Sequence, residues 1–339
     1  MVVFAHEGNI KLYQRSMSMI QNKHISNWLF FMAFMVFSMA VIGAITRLTE
    51  SGLSIVEWKP LMGAIPPLSE AEWIRVFELY QQSPEYQQKN MGMELTEFKN
   101  IFFWEWFHRL WGRTIGLVYA LPLIYFWIKK QIPDGYKGKL IFGLVLGGLQ
   151  GIMGWYMVKS GLIDRPSVSH FRLAAHLSLA LLIYGYLLWL GFELRQMKKV
   201  ESSFCLRRHG WVALSCTVLT MMWGAFVAGL DAGLVYNSWP MMGAYWIPPE
   251  LNYFTAIFVE PVSVQFVHRW IAIFTGFIIL SFAYRIKSYL LTVMVFLQIS
   301  LGISTLLMQV PIPLAAMHQG GAFILTGLIL FYLERMSKK

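Results

Sequence analysis

Eight apolar runs of membrane-spanning length constrain this chain more than any other feature of its sequence. A helix of about 20 apolar residues crosses the hydrocarbon core of a bilayer. We therefore predict an all-α integral membrane protein with eight transmembrane helices. The predicted spans are residues 28–45, 101–128, 140–158, 173–192, 211–230, 261–284, 288–310 and 314–333.

The composition excludes an ordinary soluble protein. Only 14% of the residues are charged and 57% are hydrophobic, whereas about 25% of the residues of a soluble domain are charged. The net charge of +10 does not indicate nucleic acid, because the basic residues lie in short segments between the apolar runs. We expect membrane lipid around the chain and no nucleic-acid partner. Cys205 and Cys216 match no zinc pattern and are not expected to pair; their role is left open.

Basic residues predict the orientation of the chain. The N-terminal segment, the C-terminus and the loops after spans two, four and six hold 17 of the 28 Lys and Arg residues, and the loops after spans five and seven hold none. By the positive-inside rule both termini are cytoplasmic. The N-terminus lacks the pattern of a cleaved signal or transit peptide. We predict a multi-pass protein of the bacterial inner membrane, in preference to the mitochondrial inner membrane.

The long first outer loop contains a helix signal of its own. Ser69 and Glu72 form a capping box, and apolar residues follow at helical spacing from Trp73 to Tyr80. This pattern predicts an amphipathic helix on the membrane surface.

Four motifs occur twice, in the same order, in the two halves of the chain. The pairs are Trp58–Pro67 with Trp239–Pro249, Glu105–Trp111 with Gln265–Trp270, Gln150 with Gln298, and Leu173–His176 with Leu314–His318. These echoes predict two tandem four-helix bundles in parallel orientation.

The repeat divides the chain into five predicted parts. They are a cytoplasmic segment (1–27), a first bundle (28–192) that includes the outer loop 47–100, a cytoplasmic linker (193–210), a second bundle (211–334) and a cytoplasmic tail (335–339).

Four of the eight histidines lie in the first half of an even-numbered span. They are His108, His176, His268 and His318. Two histidines on facing helices of a four-helix bundle can bind a metal ion or act as axial ligands of haem iron. A single histidine in an apolar helix is more often an ordinary core residue, but four at matching positions favour a ligand role, because burying imidazoles costs free energy.

Haem fits these sites better than zinc or copper, which need further Cys, His or carboxylate ligands. Nearby arginines are candidate partners of haem propionates, although such arginines also extend to the membrane interface. The candidates are Arg109, Arg113, Arg172 and Arg269.

Span three carries several glycines at three- and four-residue spacing. They are Gly147, Gly148, Gly151 and Gly154. Close helix packing is the ordinary explanation, and space for a flat macrocycle is the alternative. The repeated amides Gln150 and Gln298 are expected to do no more than hydrogen-bond near the sites.

The two halves differ at one charged position. Glu105 stands three residues before His108, where the second half has Gln265 before His268. Positions three apart share a helix face, so we expect Glu105 to face the same cavity as His108 and to serve as the catalytic carboxylate. The alternative is an ion pair with Arg109, four residues further along the helix.

These residues resemble the haem A synthase family, in its alphaproteobacterial and mitochondrial branch. The resemblance rests on Arg47–Pro67, Glu105–Arg109, Ser169–Leu177, Phe266–Trp270 and Ala315–Gly320, and it covers the chain from Trp28 onward. It implies oxidation of the C8 methyl group of haem O to a formyl group. It also implies a haem b cofactor on His268 and His318, and the substrate haem on His108 and His176 with Glu105 beside it. The outer-loop cysteine pair of some family members is missing here.

Two other classes of protein compete with this interpretation. A non-enzymatic di-haem electron-transfer cytochrome needs the four histidines but gives no reason for Glu105. A transporter is disfavoured because the repeat is not inverted. The sequence leaves open the electron donor and acceptor, the source of the oxygen atom, direct contact with a haem O synthase, and assembly into a homo-oligomer.

Overall fold

The structure, a computed structural model, describes residues 2–57, 62–164, 167–251 and 254–338, without the side chains of 2–19, 62, 162–164, 254–255 and 338. Residues 58–61 of the first repeated loop motif therefore lie outside the described residues.

Ten α-helices and one short pair of strands make up the described fold. The helices are α1 (Val2–Leu48), α2 (Glu70–Gln81), α3 (Pro84–Gln88), α4 (Leu95–Ile128), α5 (Tyr136–Asp164), α6 (His170–Arg195), α7 (Phe204–Gly229), α8 (Pro261–Ile286), α9 (Tyr289–Leu307) and α10 (Ile312–Arg335). The strands are β1 (Val200–Ser202) and β2 (Met336–Lys338), and short 3-10 turns cover Met62–Ala64, Ala232–Leu234 and Phe254–Phe258.

The predicted all-α membrane fold is confirmed. Within the described parts of the chain, eight helices are long and apolar enough to cross a membrane, and these are all the α-helices except α2 and α3. Several begin earlier than hydropathy indicates, because polar caps start them outside the apolar run. Glu94 and Glu97 form a capping box that starts α4 at Leu95, and Ser203 caps α7.

The eight long helices form two rings of neighbours. Helices α1, α4, α5 and α6 contact one another in that order around the first ring, and α7, α8, α9 and α10 do so around the second. Contacts of α6 with α7, of α1 with α10 and of α6 with α10 join the rings. This packing matches two predicted bundles, while their origin as a tandem repeat stays an interpretation of the sequence.

The linker between the rings is tied to the C-terminus. Strand β1 pairs in parallel with β2, with Val200 opposite Met336. Lys199 forms an ion pair with the buried Glu334 at the end of α10. The linker and the C-terminal segment therefore lie at the same end of the molecule, which we name the inner end after its predicted orientation. The long loops lie at the other, outer end.

The predicted amphipathic helix is confirmed as α2. Ser69 accepts a hydrogen bond from the backbone N–H of Glu72 at its N-terminus. The apolar face of α2 packs on the protein: Trp73 and Tyr80 lie against Phe98 and Phe102 of α4. Helix α4 of the same chain thus covers much of this face, and placement of α2 on the membrane surface stays a prediction.

A buried carboxyl group sits at the centre of this outer-loop cluster. Glu85 is 4% exposed and accepts a hydrogen bond from the hydroxyl of Tyr80 at 3.1 Å, and Asn90 donates to that hydroxyl at 2.7 Å. Burial, together with the nearby carboxylates of Glu105 and Glu50, raises the pKa of Glu85 to about 8. Tyr80 and Lys89 act in the opposite direction.

We therefore expect the outer-loop cluster to lose stability as the pH rises. The folded-state pKa of Glu85 lies above its ordinary value of 4.5, so its contribution is complete below about pH 4.5 and is lost as the pH approaches 8. Hydrogen exchange of residues 70–102, corrected for intrinsic rates, should show falling protection across this range. Glu85→Gln should flatten the pH dependence, and Glu78→Gln, at an exposed position of α2, should not. An equal slope in wild type and Glu85→Gln would contradict the assignment.

Candidate functional site

Each of the four intramembrane histidines lies against a glycine of the preceding long helix. A Cβ atom on any of these glycines would lie 2.8–3.4 Å from an imidazole atom, a contact that ranges from the limit of ordinary packing at Gly43 to a clash at Gly302. The pairs are His108 with Gly43, His176 with Gly154, His268 with Gly224, and His318 with Gly302. The same local arrangement therefore occurs four times, twice in each ring.

The histidines form two pairs, one in each ring. His108 and His176 are close enough to interact electrostatically, and so are His268 and His318. The structure thus brings together the residues that the sequence analysis grouped. Among the described residues, no group of three or more His, Cys, Asp and Glu is placed to hold a metal ion.

A glutamine orients the second histidine of each pair. The side-chain amide of Gln150 donates to the backbone carbonyl of His176 at 3.1 Å, and Gln298 donates to that of His318 at 2.8 Å. The same two amide nitrogens lie 3.3 Å and 3.2 Å from a ring nitrogen of their histidines. The expected hydrogen bonding of the repeated amides is confirmed, and it is matched between the rings.

Glu105 is buried and fully engaged by donors. It is 2% exposed, and its Oε1 accepts from the guanidinium of Arg109 at 2.6 Å. Its Oε2 accepts from the hydroxyl of Ser54 and from the backbone N–H of Ile55, both at 2.7 Å. The ion pair that the sequence left as an alternative is therefore present, and it is part of a larger attachment to the outer loop.

The second ring repeats this attachment to the outer loop, but at one position the helix side chain is a hydrogen-bond donor instead of an acceptor. Arg269 donates to the carbonyl of Tyr236 at 2.8 Å, as Arg109 donates to that of Ile55 at 3.1 Å. Ile55 and Tyr236 each stand three residues before the tryptophan of the repeated loop motif. Gln265 donates to the Tyr236 carbonyl, whereas Glu105 accepts from the Ile55 N–H. Equivalent loop residues are thus bound in both rings, by an accepting carboxylate in the first and by a donating amide in the second.

The four candidate propionate partners have different surroundings. Arg109 and Arg269 hold outer-loop carbonyls, so part of their donor capacity serves the loops. Arg172 stacks over the ring of Tyr156, with 4.8 Å between the guanidinium carbon and the ring centroid. Arg113 lies one helical turn inward from Arg109 on α4.

The glycines of α5 do not all have the ordinary packing role. A Cβ on Gly147, Gly148 or Gly151 would meet no atom of the described residues within 4 Å. Close helix packing is therefore the wrong explanation for these three. Gly154 is different, because it faces His176.

Three of the four glycines opposite the histidines were missed from the sequence, although a signal was present. Gly154 and Gly302 each follow the repeated glutamine by four residues. Gly43 and Gly224 each precede the repeated loop tryptophan by 15 residues. A comparison of glycine positions between the two halves would have found all four.

These features fit a haem. Two imidazoles from different helices can supply two axial ligands, and the facing glycines let each imidazole lie close against the neighbouring helix. The Nδ1 atoms of His176 and His268 are buried and have no hydrogen-bond partner among the described residues. Buried polar atoms are normally satisfied, so imidazoles of this kind suit a ligand that the protein binds. Cys205 and Cys216, both free, take no part.

We expect Gly302→Ala to weaken haem binding in the second ring. The added methyl group would lie 2.8 Å from Cε1 of His318, and overpacking of this kind costs about 1–3 kcal/mol, which corresponds to roughly a 5- to 150-fold change in affinity. The haem content of the purified protein, measured by absorption spectroscopy, tests this. Gly138→Ala, where the new Cβ meets no described atom within 4 Å, is the control. Full haem occupancy in Gly302→Ala would show that the contact does not position the histidine.

Comparisons with known proteins agree with a haem-related site. The sequence profile of the cytochrome oxidase assembly protein family matches residues 26–330. The chain is 48% identical over 329 residues to a haem A synthase of Rhodospirillum centenum, covering 92% of this chain and 88% of that protein. It is 46% identical to a haem A synthase of Nitrosospira multiformis (89% and 90% covered). A haem A synthase of Flavobacterium psychrophilum is 43% identical to it (94% and 100% covered).

Proposed function

The chain belongs to the haem A synthase family, and we propose that it oxidises the C8 methyl group of haem O to a formyl group. The reaction would consist of two successive hydroxylations of the methyl carbon and loss of water from the resulting geminal diol. Its product, haem A, would supply terminal oxidases. The observation that carries this proposal is a pair of matching His–Gly sites that differ in charge at one buried position, Glu105 against Gln265.

The two sites would have different occupants. His108 and His176 would hold the substrate haem, and His268 and His318 a permanent haem b. A bound haem b supplies one-electron redox chemistry. The burial of the helices supports this division: the most apolar windows of α4 and α5 are each only 11% buried, against 33% for α8 and 22% for α9. An exchangeable substrate suits the more open ring.

Glu105 would act as a fixed negative charge beside the substrate methyl group. Both of its oxygens already accept hydrogen bonds, from Arg109, Ser54 and Ile55. A carboxylate held in this way is preorganised to stabilise positive charge that develops during oxidation. This geometry favours the electrostatic role over uptake of the protons that the methyl group loses. Arg113 and Arg172 would be the main partners of the substrate propionates.

The surroundings of the enzyme follow from the same proposal. We place it in the bacterial inner membrane with both termini in the cytoplasm, and its donor of haem O would be a haem O synthase. The outer loops, held by Arg109 and Arg269, would then cover both sites from the opposite side.

Haem extraction tests the proposed function most directly. Purified wild-type protein should yield haem b together with haem O, haem A or a hydroxylated intermediate. His318→Ala should lose haem b, because its axial ligand is removed, whereas His176→Ala should keep haem b and lose the other haem. Haem b alone in both wild-type sites would instead indicate a di-haem electron-transfer protein.

Replacement of Glu105 tests its role. We expect Glu105→Gln to lower haem A production by about 10²-fold, the usual cost of removing one preorganised electrostatic group, with both haems still bound. Ser54→Ala removes one donor but leaves the carboxylate with its bonds from Arg109 and Ile55, and it should therefore cost less than Glu105→Gln. Wild-type haem A production by Glu105→Gln would exclude catalysis by this residue.

A further inference from the structure

The contact between α4 and α5 in the first ring lacks side chains that occupy the corresponding contact between α8 and α9 in the second ring. In the second ring, Ile299 of α9 lies against Gly276 of α8: a Cβ on that glycine would be 3.3 Å from the isoleucine Cδ1. Gly276 is buried as a result. The Ile299 side chain, 37% exposed, thus lies in the contact between the two helices.

The equivalent positions in the first ring are both glycine. Gly116 stands eight residues after His108, as Gly276 does after His268, and Gly151 follows Gln150, as Ile299 follows Gln298. Both are exposed, and a Cβ on either would meet no described atom within 4 Å.

A second position extends this difference along α5. Gly147, one turn inward from Gly151, is exposed, whereas its counterpart Val295 in α9 is 2% exposed and part of the core. The glycine that faces the histidine is retained in both rings, as Gly154 and Gly302. Helices α5 and α9 therefore carry different residues along the gap and the same residue, glycine, opposite the histidine.

The gap has defined ends. Toward its outer end lie Gly154, which faces His176, and Gln150; Gln150 Oε1 and His176 Nδ1 are buried and have no hydrogen-bond partner among the described residues. At its inner end Tyr119 of α4 lies over Gly143 of α5 and donates to the carbonyl of Leu140 at 2.8 Å. From residue 151 to residue 143 the gap runs about 12 Å along the helix.

We propose that this gap, lined by Gly116, Gly147 and Gly151, is a lateral opening to the lipid phase that holds the long isoprenoid side chain of the substrate haem. The inference rests on the proposed function. Haem O carries such a hydrocarbon chain and haem b does not, and this is the difference that the two rings show: open beside the substrate site and filled beside the cofactor site. The chain would gain apolar contact in the gap, and the substrate could enter and leave sideways without crossing a polar surface.

The test fills the gap with the residue that the second ring uses. Full-length wild type, Gly151→Ile and the milder Gly151→Ala are purified in lipid nanodiscs, and binding of haem O and of haem b to the first site is titrated by absorption spectroscopy. Gly138→Ile, at an exposed position of α5 outside the gap, is the matched control. We expect Gly151→Ile to weaken haem O binding at least about tenfold, a difference of about 1.4 kcal/mol. Binding of tail-less haem b to that site should be unchanged, Gly151→Ala should lie between, and Gly138→Ile should match wild type.

Each other outcome overturns the proposal. Unchanged haem O affinity in Gly151→Ile would mean that the tail lies elsewhere, and equal loss of both haems would mean that the isoleucine distorts the bundle. If only co-purified lipid or the oligomeric state changes, the gap holds an acyl chain or a second copy of the protein. A failure of the proposed function is seen separately, as wild type that makes no haem A.

Discussion

The contact between an imidazole and a glycine backbone is the constraint on which the rest of this structure depends. At each of the four intramembrane histidines the neighbouring helix carries no side chain, and a single added methyl group would come within 2.8–3.4 Å of the ring. Because interiors are closely packed, this requirement sets where each pair of helices meets. The same close approach of two helices therefore occurs at all four histidines.

The outer loops and the membrane sites form one connected structure. Arg109 and Arg269 stand next to a histidine in sequence and hold a loop carbonyl in space. Glu105 adds two hydrogen bonds from Ser54 and Ile55. A carboxylate with this burial needs such partners, since an unpaired buried charge is very costly. The arrangement therefore stabilises the loop and orients the proposed catalytic group with the same contacts.

Few residues account for the proposed difference in function between the two rings. At Glu105 and Gln265 a charge is present in one ring and absent in the other, while the attachment to the loop is kept. At Gly151 and Ile299 a side chain is absent in one ring and present in the other. One difference concerns chemistry and the other concerns space. Together they turn two similar helical rings into a proposed substrate site and a proposed cofactor site.

The length of the apolar runs, the positions of the charges and the repeated motifs were sufficient to predict the eight membrane helices. The same signals predicted how the four histidines pair and identified Glu105 as the charged position at which the two halves differ. These signals are local or periodic, and membrane insertion makes them strong, because lipid tolerates little besides apolar helices. The loop attachment of Glu105, the glycines opposite the histidines, the aromatic cover over α2 and the gap at Gly151 depended on the folded chain. Each joins residues far apart in sequence, and which helices become neighbours is determined by side-chain packing that no single segment contains.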